Sequence, residues 1–423
     1  MSGPWETVPL PEVLDFQEGP GIMARDFREG GVPLIRLAGL KRGAHLLDGC
    51  DFLDSEMVAR RWSHFRLQRD DVLLSTSASL GEIAKIDEAG VDAIPYTGII
   101  RFRPKSDRVR PDFVRHALEA PSFKHQVEAM GVGSVIKHFG PTHLRRMTIH
   151  LPPRAEQQAI AEVLGALDDK MALNGQIAAT ICMLCRAVME ALWGAGRVPS
   201  LTDREGTLAN GWRRVTLGQL CAEGGGLIQT GPFGSQLHAS DYVESGIPSV
   251  MPQNIGDNVI SEDKIARIKG SDAERLSKYL LAEGDIVYSR RGDVKRRALV
   301  REHEAGWLCG TGCLRVRLGT STSPLFISYY LGEPAIQDWI AQHAVGATMP
   351  NLNTSILGEV PVVLPPNEVV DRVHERLAAL DASAAHVTHE NRTLAELRDT
   401  LLPELVTGKL RVKDAARAVQ EFV

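Results

Sequence analysis

A basic turn in the second half of the chain has the residue types best suited to binding a negatively charged partner. Five cations lie within eight residues, directly after the short apolar run Ile286-Val-Tyr-Ser289. Guanidinium groups bind phosphate oxygens and pair with guanine edges, although a solvated charged face is the simpler interpretation of one such cluster. The cations are Arg290, Arg291, Lys295, Arg296 and Arg297.

Further residues suggest the same chemistry in both halves of the chain. Arg101 and Arg103 lie on a predicted strand of the first half, and Lys41 and Arg42 follow another. In the second half, the loop 229–236 offers amides and hydroxyls that suit base edges or phosphates. The net charge of −5 does not exclude DNA as the partner, because binding follows local patches. The loop residues are Gln229, Thr230, Ser235 and Gln236.

No catalytic signature accompanies these clusters. The sequence has no G-x-x-x-x-G-K-[ST] phosphate loop, no H-E-x-x-H and no G-x-S-x-G. Asp257 with Glu262 and Lys264 has the residue types of a metal-dependent nuclease, but the combination is common by chance and a solvated turn is the simpler interpretation. We therefore expect no catalytic residue and no cofactor in this chain.

The six cysteines do not predict a metal site. Cys182 and Cys185 lie within a predicted helix, and Cys309 and Cys313 lie more than a hundred residues further on. A zinc site would require the two pairs to converge, so we interpret them as small apolar core residues and expect no metal.

The chain consists of one pattern written twice. The offset between the copies grows from 207 to 215 and then settles at 213. The second copy therefore has extra residues between 217 and 239, which we interpret as a longer surface loop. Each copy has strand-like runs followed by predicted helices at 112–128 and 325–343. The repeated motifs are W-x-x-V-x-L (5–10 and 212–217), D-x-x-x-S (71–75 and 285–289) and T-G-x-x-R-x-R (97–103 and 311–317).

Each copy ends in a long heptad pattern. Apolar residues recur at steps of four and three, with Asn174 and Asn391 as polar interruptions. These asparagines either set the register of the pair or mark a helix end or a solvent-facing turn, and the two interpretations are comparable. Such a seam needs a partner helix, and the two segments can serve each other as an antiparallel pair. The predicted pairing residues are Leu164, Leu167, Met171, Ile181, Leu377, Leu380, Val387 and Leu394.

The predicted fold is of the α+β class. Two similar mixed α/β domains are joined by two long antiparallel coiled-coil helices, and the internal repeat gives a pseudo-two-fold axis like that of a duplex DNA site. Neither an apolar run of membrane-span length nor an N-terminal signal pattern is evident, so we expect a soluble cytoplasmic protein. The expected segments are domain 1 (1–153), helix 1 (154–195), a linker (196–211), domain 2 (212–366), helix 2 (367–406) and a tail (407–423).

On these motifs the chain resembles the specificity (S) subunit of type I restriction-modification systems. The resemblance covers essentially the whole chain and depends on the order of features rather than on any single motif. The features are L-P-P before each long helix, E-Q-Q at 156–158, T-G-P-F-G-S at 230–235, G-D-I-V at 284–287 before the basic turn, and L-L-x-x-L-x-T-G-K-L at 401–410.

The resemblance implies a non-catalytic subunit that serves DNA methylation and defence against foreign DNA. In this family, each target-recognition domain reads one half of a split DNA site, and the helix pair sets the length of the unread gap. Two modification (M) subunits, which bind S-adenosylmethionine and methylate adenine, dock on the S subunit. A motor and nuclease (R) subunit, which uses ATP and Mg²⁺, joins them for cleavage.

The first copy departs from the family pattern. It has no T-G-P-F-G-S motif, and Thr76-Ser-Ala-Ser-Leu-Gly-Glu replaces the basic turn. Its DNA contacts are therefore expected from Lys41, Arg42 or Lys85. Because the two copies differ where they would touch DNA, the recognised site is expected to be asymmetric.

Two other functions fit parts of the pattern. A stand-alone two-domain DNA-binding or adaptor protein would share the repeat and the basic turn, but it would not capture a separate adenine methyltransferase. A fused nuclease would need a catalytic constellation, and a metal-dependent cleavage assay on the isolated chain would reveal it.

Overall fold

The computed structural model describes residues 5–40, 45–76, 80–130, 140–193, 206–207, 211–346 and 349–413. They form two compact units: the first unit comprises residues 1–174 with 389–423, and the second unit comprises residues 175–388. Each long helix is thus divided between the units. The predicted boundaries separated helices from domains, whereas the packing makes each half-helix part of a unit's core.

The first unit is a mixed α/β fold. Its described strands are β1 (Glu6–Pro9), β2 (Leu14–Glu18), β3 (Phe27–Arg28), β4 (Val32–Ile35), β5 (Asp51–Leu53), β6 (Val72–Ser75), β7 (Ile83–Lys85), β8 (Ile94–Pro95), β9 (Ile99–Pro104) and β10 (Thr148–Leu151). Its described helices are α1 (Leu10–Val13), α2 (Ser55–Met57), α3 (Pro111–Glu119), α4 (Pro121–Met130), α5 (Pro141–Leu144) and the first part of α6 (Arg154–Trp193).

The second unit has a similar set of elements, with β11 (Gly206–Thr207) and β16 (Asp257–Asn258) as additional described strands. Its described strands are β11 (Gly206–Thr207), β12 (Arg213–Thr216), β13 (Gly225–Thr230), β14 (Tyr242–Val243), β15 (Ile247–Val250), β16 (Asp257–Asn258), β17 (Ala266–Ile268), β18 (Ile286–Ser289), β19 (Arg297–Leu299), β20 (Leu308–Cys309), β21 (Cys313–Gly319) and β22 (Pro361–Leu364). Its described helices are α7 (Leu217–Glu223), α8 (Gly270–Arg275), α9 (Pro324–Tyr330), α10 (Pro334–His343), α11 (Thr354–Gly358) and part of α12 (Asn367–Thr407).

The two units repeat the same sheet order. The main sheet runs β2-β9-β6-β7 in the first unit and β13-β21-β18-β19 in the second, where β16 adds an edge strand. The smaller sheets, β3-β5-β4-β8 and β14-β17-β15-β20, each contain one parallel pair at the same place. The strands β6 and β18 are buried along their whole length, which explains their continuous apolar sequences. The predicted internal repeat is therefore confirmed at the level of topology.

Each helix predicted at 112–128 and 325–343 is in fact two helices. Pro121 and Pro334 begin the second helix of each pair, and the residues before them, Ala120 and Glu333, have extended backbones with ψ near 140° and 137°. Proline restricts the preceding residue to extended conformations and is favoured at the first helical position, so the break follows from its chemistry.

The extra residues of the second copy do not form one long loop. The backbone N–H of Gly19 donates to the carbonyl of Ile99, and that of Gly231 donates to the carbonyl of Cys313, each at 2.9 Å. The two glycines therefore hold equivalent positions, and their residue numbers differ by 212. The offset therefore grows from 207 to 212 before Gly231, which places five additional residues there, where α7 is longer than α1. It grows from 212 to 215 after Gly231, which places three more in the segment 233–236. The interpretation as a single surface loop was wrong, because most of the insertion lengthens a helix and its connection.

The two long helices pair in antiparallel fashion within each unit. Asn174 donates to the side-chain oxygen of Asn391 at 2.9 Å, and Asn391 donates to the carbonyl of Met171 at 3.0 Å. Arg398 binds Asp168 at 3.1 Å. The two polar seam residues thus meet each other within the first unit, and their role in setting the register stays a prediction.

The predicted pairing residues lie on the seams of the two units. In the first unit, Leu164 and Leu167 share a core with Leu394, Leu401 and Leu405, and Met171 packs against it. In the second unit, Leu377 shares a core with Ile181 and Cys185, and Leu380 packs against it, while Val387 is half-buried. In each unit, antiparallel helices thus bring early residues of one helix against late residues of the other.

The helix α6 is long and apolar enough to cross a membrane when judged by length and composition alone. The expectation that no segment has this composition was therefore wrong. Its apolar residues include a buried seam and, on the second unit, the exposed Ile177, Met183 and Leu184. A heptad seam together with a second apolar face gives a soluble helix the composition of a membrane span.

The T-G-K-L motif ends α12 against the start of the first domain. The Trp5 indole donates to the carbonyl of Leu405 at 2.9 Å, and the Arg411 guanidinium lies 3.9 Å from the ring centroid. Gly408 has φ +80°, and a Cβ there would meet the indole at 2.8 Å, which accounts for the glycine. In the second unit, the equivalent Trp212 packs on Trp193 at the end of α6, with centroids 5.6 Å apart.

Candidate nucleic-acid interface

The basic turn of the second unit connects β18 to β19. Gly292 has φ +77°, and Asp293 accepts a hydrogen bond from the backbone of Lys295 at 3.2 Å, so glycine and aspartate shape the turn. The five cations do not have equal surroundings.

Three of the five cations are engaged within the unit. The Lys295 ammonium binds Asp338 at 2.8 Å, and Arg296 binds Asp293 at 3.2 Å. Arg297 is only 3% exposed and donates to the carbonyl of Ser328 at 2.7 Å. Its assignment as a phosphate contact was wrong, since reaching DNA would require it to leave a buried hydrogen-bonded position.

The other two cations, Arg290 and Arg291, have no acidic partner among the residues that the structure describes. Arg290 is half-buried and lies 6.0 Å from the ring centroid of Phe233, and Arg291 is exposed. The turn thus offers two free guanidinium groups rather than five cations, and these are the groups most available to phosphates.

The segment 229–236, which is the end of β13 and the loop after it, contains both structural and available polar groups. Gln229 accepts from Arg315 at 2.7 Å, and Gln236 accepts from the Tyr279 hydroxyl at 2.8 Å and from the Phe233 backbone at 3.3 Å. These two side-chain oxygens hold the loop in shape. Ser235 is exposed and Thr230 is half-buried, and both stay predictions as DNA contacts.

A neighbouring hairpin completes this surface, and the sequence did not suggest it. Val345 and Asn351 exchange backbone hydrogen bonds at 2.9 and 3.1 Å, while Leu352 donates to the carbonyl of Arg290 at 2.9 Å. The hairpin therefore lies directly against the basic turn and presents the exposed Met349. The sequence signal that could have indicated this segment was the apolar Met349 between two turn-forming residues, Gly346 and Pro350.

In the first unit, Arg101 and Arg103 are structural rather than free. Arg101 is 5% exposed and binds Asp15 at 2.5 Å. Arg103 makes two hydrogen bonds to the buried Asp71, at 2.6 and 2.7 Å. Their assignment as DNA contacts was wrong, because both guanidinium groups hold strands of the main sheet together. Lys85 binds Asp70 at 2.8 Å and is partly exposed.

The same arrangement recurs in the second unit. Arg317 makes two hydrogen bonds to the buried Asp285 at 2.6 and 2.7 Å, and these bonds raise the pKa of Arg317. We call the pairs Arg103–Asp71 and Arg317–Asp285 the arginine clamps. They explain why T-G-x-x-R-x-R and the aspartate before β6 and β18 occur in both copies. Lys41 and Arg42, the remaining predicted contacts of the first copy, lie outside the described residues.

The residues considered for metal chemistry are also structural. The Asp257 carboxylate binds Arg297 at 3.0 Å and also binds Arg186, so its charge is already neutralised. Cys309 is fully buried, and burial raises the pKa of its thiol to about 12, which keeps it a neutral core side chain. Within the described ranges, no cluster of three His, Cys, Asp or Glu residues is arranged to hold a metal ion.

Comparison with known proteins identifies the family. The model of the type I restriction modification DNA specificity domain matches this chain twice, at residues 2–182 and 211–397. The chain belongs to this family. Members are the DNA-recognition subunits of type I restriction-modification systems and are not themselves catalytic, so the function of this specificity subunit is DNA recognition. Each match extends into the long helix that follows the domain.

Individual relatives agree with this assignment. The specificity subunit of the type I restriction enzyme EcoBI from Escherichia coli is 21% identical, covering 96% of this chain and 86% of the relative. The MjaIX specificity subunit from Methanocaldococcus jannaschii is also 21% identical, covering 97% and 94%. The crystal structure of the type I S subunit from M. genitalium has a TM-score of 0.51 at 16% identity, covering 95% of this chain and 96% of that one, and it supports the fold.

Proposed function

We propose that this specificity subunit directs a type I restriction-modification complex to a split, asymmetric DNA site. Each unit reads one half of the site. The observation that carries this proposal is that the two units share their sheet order and arginine clamps but differ in exposed segments. A common scaffold with different surfaces suits the reading of two different half-sites.

Methylation mapping tests the proposal. Cells would express this chain with its adenine methyltransferase, and methylated adenines would be located in their DNA. We expect a bipartite, asymmetric sequence with a constant gap. In the Arg290→Ala/Arg291→Ala variant, methylation should weaken at all sites alike. A contiguous or palindromic motif from the wild-type complex would contradict the proposal.

The helix pair acts in this proposal as a ruler for the gap. The buried seams and the Asn174–Asn391 hydrogen bond support a fixed helix register. Inserting four residues into both helices adds about 6 Å, or roughly two base pairs, to the spacing. Mapping should then return the same two half-sites around a longer gap. An unchanged gap would reject the ruler.

The exposed apolar face of α6 supports the docking of an M subunit. Ile177, Met183 and Leu184 are 37%, 61% and 49% exposed, which is unusual for large apolar side chains on a helix that already buries a seam. We propose that two M subunits bind, and that they bring the S-adenosylmethionine site. An R subunit would bring the sites for ATP and Mg²⁺, and the complex would act on DNA in the cytoplasm.

Co-purification tests this docking face. The triple variant Ile177→Ser/Met183→Ser/Leu184→Ser should retain less M subunit than the wild type, measured as the mass of the complex in solution. Leu227→Ser is the matched control, since Leu227 is a similarly exposed apolar residue on strand β13, at 47%. Equal loss of the M subunit from both variants would contradict a specific face on α6.

A further inference from the structure

Three large apolar side chains are exposed around the free arginines of the second unit. Phe233 is 55% exposed, Val345 is 64% exposed and Met349 is 61% exposed. Single exposed apolar residues are ordinary, but these three belong to two loops that both adjoin Arg290. The Arg290 guanidinium lies over the Phe233 ring, but the exposed fractions of the three side chains leave most of this apolar surface uncovered, which suits a bound partner.

The backbone holds the hairpin firmly in place beside the arginines. Gly292 donates to the carbonyl of Pro350 at 3.1 Å, in addition to the Leu352–Arg290 and Val345–Asn351 bonds. Gly346 has φ +115°, and a Cβ there would lie 2.6 Å from the carbonyl of Met349. Gly346 therefore has a backbone conformation that other residues rarely adopt.

Phe233 is held from the other side. The Gln236 side chain fixes the turn through Tyr279 and the Phe233 backbone, and Arg275 donates to the carbonyl of Gln236 at 2.9 Å. Gly234 has no neighbour where a Cβ would be, so the loop edge is open to solvent. The ring thus projects from a supported turn, with the Arg290 guanidinium 6.0 Å from its centroid.

We propose that Phe233 and Met349 contact thymine methyl groups in the half-site read by the second unit. The C5-methyl of thymine is the apolar feature of the major-groove edge, and Phe is among the side chains that contact it. Arg290 and Arg291 hold neighbouring phosphates and bring the apolar side chains to the bases. This inference rests on the proposed function, which supplies DNA as the partner.

The charge of the surroundings favours DNA over a protein partner. A protein interface would cover the apolar residues, but it would also have to neutralise two adjacent guanidinium groups that have no acidic partner in the described part of the chain. The phosphate backbone of DNA offers neutralising negative charge along its whole length. Gly19-Pro20 of the first copy corresponds to Gly231-Pro232 of the second. The residue after it is Gly21 in the first copy and Phe233 in the second, so the phenylalanine is present in the second copy alone.

Replacing thymine by uracil in the DNA tests the contact, because uracil lacks only the methyl group. Once the site is mapped, each thymine of the second half-site is replaced in turn, and the Kd of the complex is measured. For the wild type we expect at least one uracil to weaken binding about four-fold, the equivalent of one buried methyl group. Phe233→Ala or Met349→Ala should abolish this weakening at its own position.

The controls separate this inference from the proposed function. Val259→Ala removes an apolar side chain of comparable exposure, 46%, and should leave uracil discrimination unchanged. Phe233→Leu should retain part of the discrimination. If the complex binds its site but no uracil weakens it, or if the variants discriminate as the wild type does, the thymine contact is rejected. If the complex binds no specific site, the proposed function fails instead.

Discussion

The two units differ least where residues are buried and most where residues meet solvent. The arginine clamps have the same atoms at the same distances in both units, and the main sheets have the same order. By contrast, the second unit alone has three additional residues around Phe233. Repetition within one chain therefore identifies structural residues, and differences between the copies mark those available for recognition.

The largest expected effect comes from breaking the feature that the units share. Asp71→Asn and Asp285→Asn each leave a guanidinium without its carboxylate, and each should lower the free energy of unfolding of its own unit by about 2 kcal/mol. Urea unfolding measures the decrease. Asp293→Asn, which breaks an exposed ion pair with Arg296, should cost less than about 0.5 kcal/mol. Unequal decreases in the two clamp variants would show that the clamps are not equivalent.

The next effect sharpens the distinction between free and engaged cations. Removing one phosphate-binding side chain should reduce the slope of log K against log salt by about 0.9, so Arg290→Ala/Arg291→Ala should reduce it by roughly 1.8. Lys295→Ala/Arg296→Ala removes the same charge, but these side chains already bind Asp338 and Asp293. This control should change the slope less. If both double variants had the same salt slope, the assignment of Arg290 and Arg291 as the free cations would be contradicted.

A smaller effect concerns the helix seams. The Asn174–Asn391 pair of the first unit corresponds, at the offset of 213, to Val387 and Ala178 in the second. Asn174→Val alone leaves Asn391 without a side-chain partner and should destabilise the first unit by about 1 kcal/mol. Adding Asn391→Ala copies the second unit and should recover most of that stability. A double variant that is less stable than the single one would contradict this.

The smallest effect is the pH dependence that Glu333 contributes in the second unit. Burial, and then the nearby Glu190 carboxylate, raise the pKa of Glu333 to about 7, whereas the first copy has Ala120 at this place. A carboxyl whose pKa rises on folding is protonated in the folded state, so stability should fall as pH rises from about 4.5 to 7 and then level off. Thermal unfolding from pH 5 to pH 8 should show this fall in the wild type and less of it in Glu333→Gln.

The sequence predicted the repeat, the long helices and the two polar seam positions because periodicity and offset are local, countable properties. The same reasoning wrongly assigned Arg101, Arg103 and Arg297 to DNA contacts. A charged residue on a strand looks alike in sequence whether it binds a buried aspartate or faces solvent. The repetition of Arg101 and Arg103 as Arg315 and Arg317 was the signal that could have distinguished them.

The hairpin at 345–351 and the free state of Arg290 and Arg291 could not be predicted. Both depend on bonds between segments that are far apart in sequence, such as Leu352 with Arg290. Similarly, the division of each helix between two units follows from which residues share a core, and antiparallel pairing places those residues more than two hundred positions apart. Tertiary pairing of this kind leaves no local pattern.

The division of the helices has a consequence for biosynthesis. The seam of the first unit, which includes Leu164 and Leu167, is completed by residues 394–405. The second unit, at residues 175–388, is continuous in sequence. On the ribosome, the first unit therefore keeps its apolar helix uncovered until residues 394–405 have been translated. The second unit can finish folding before that point.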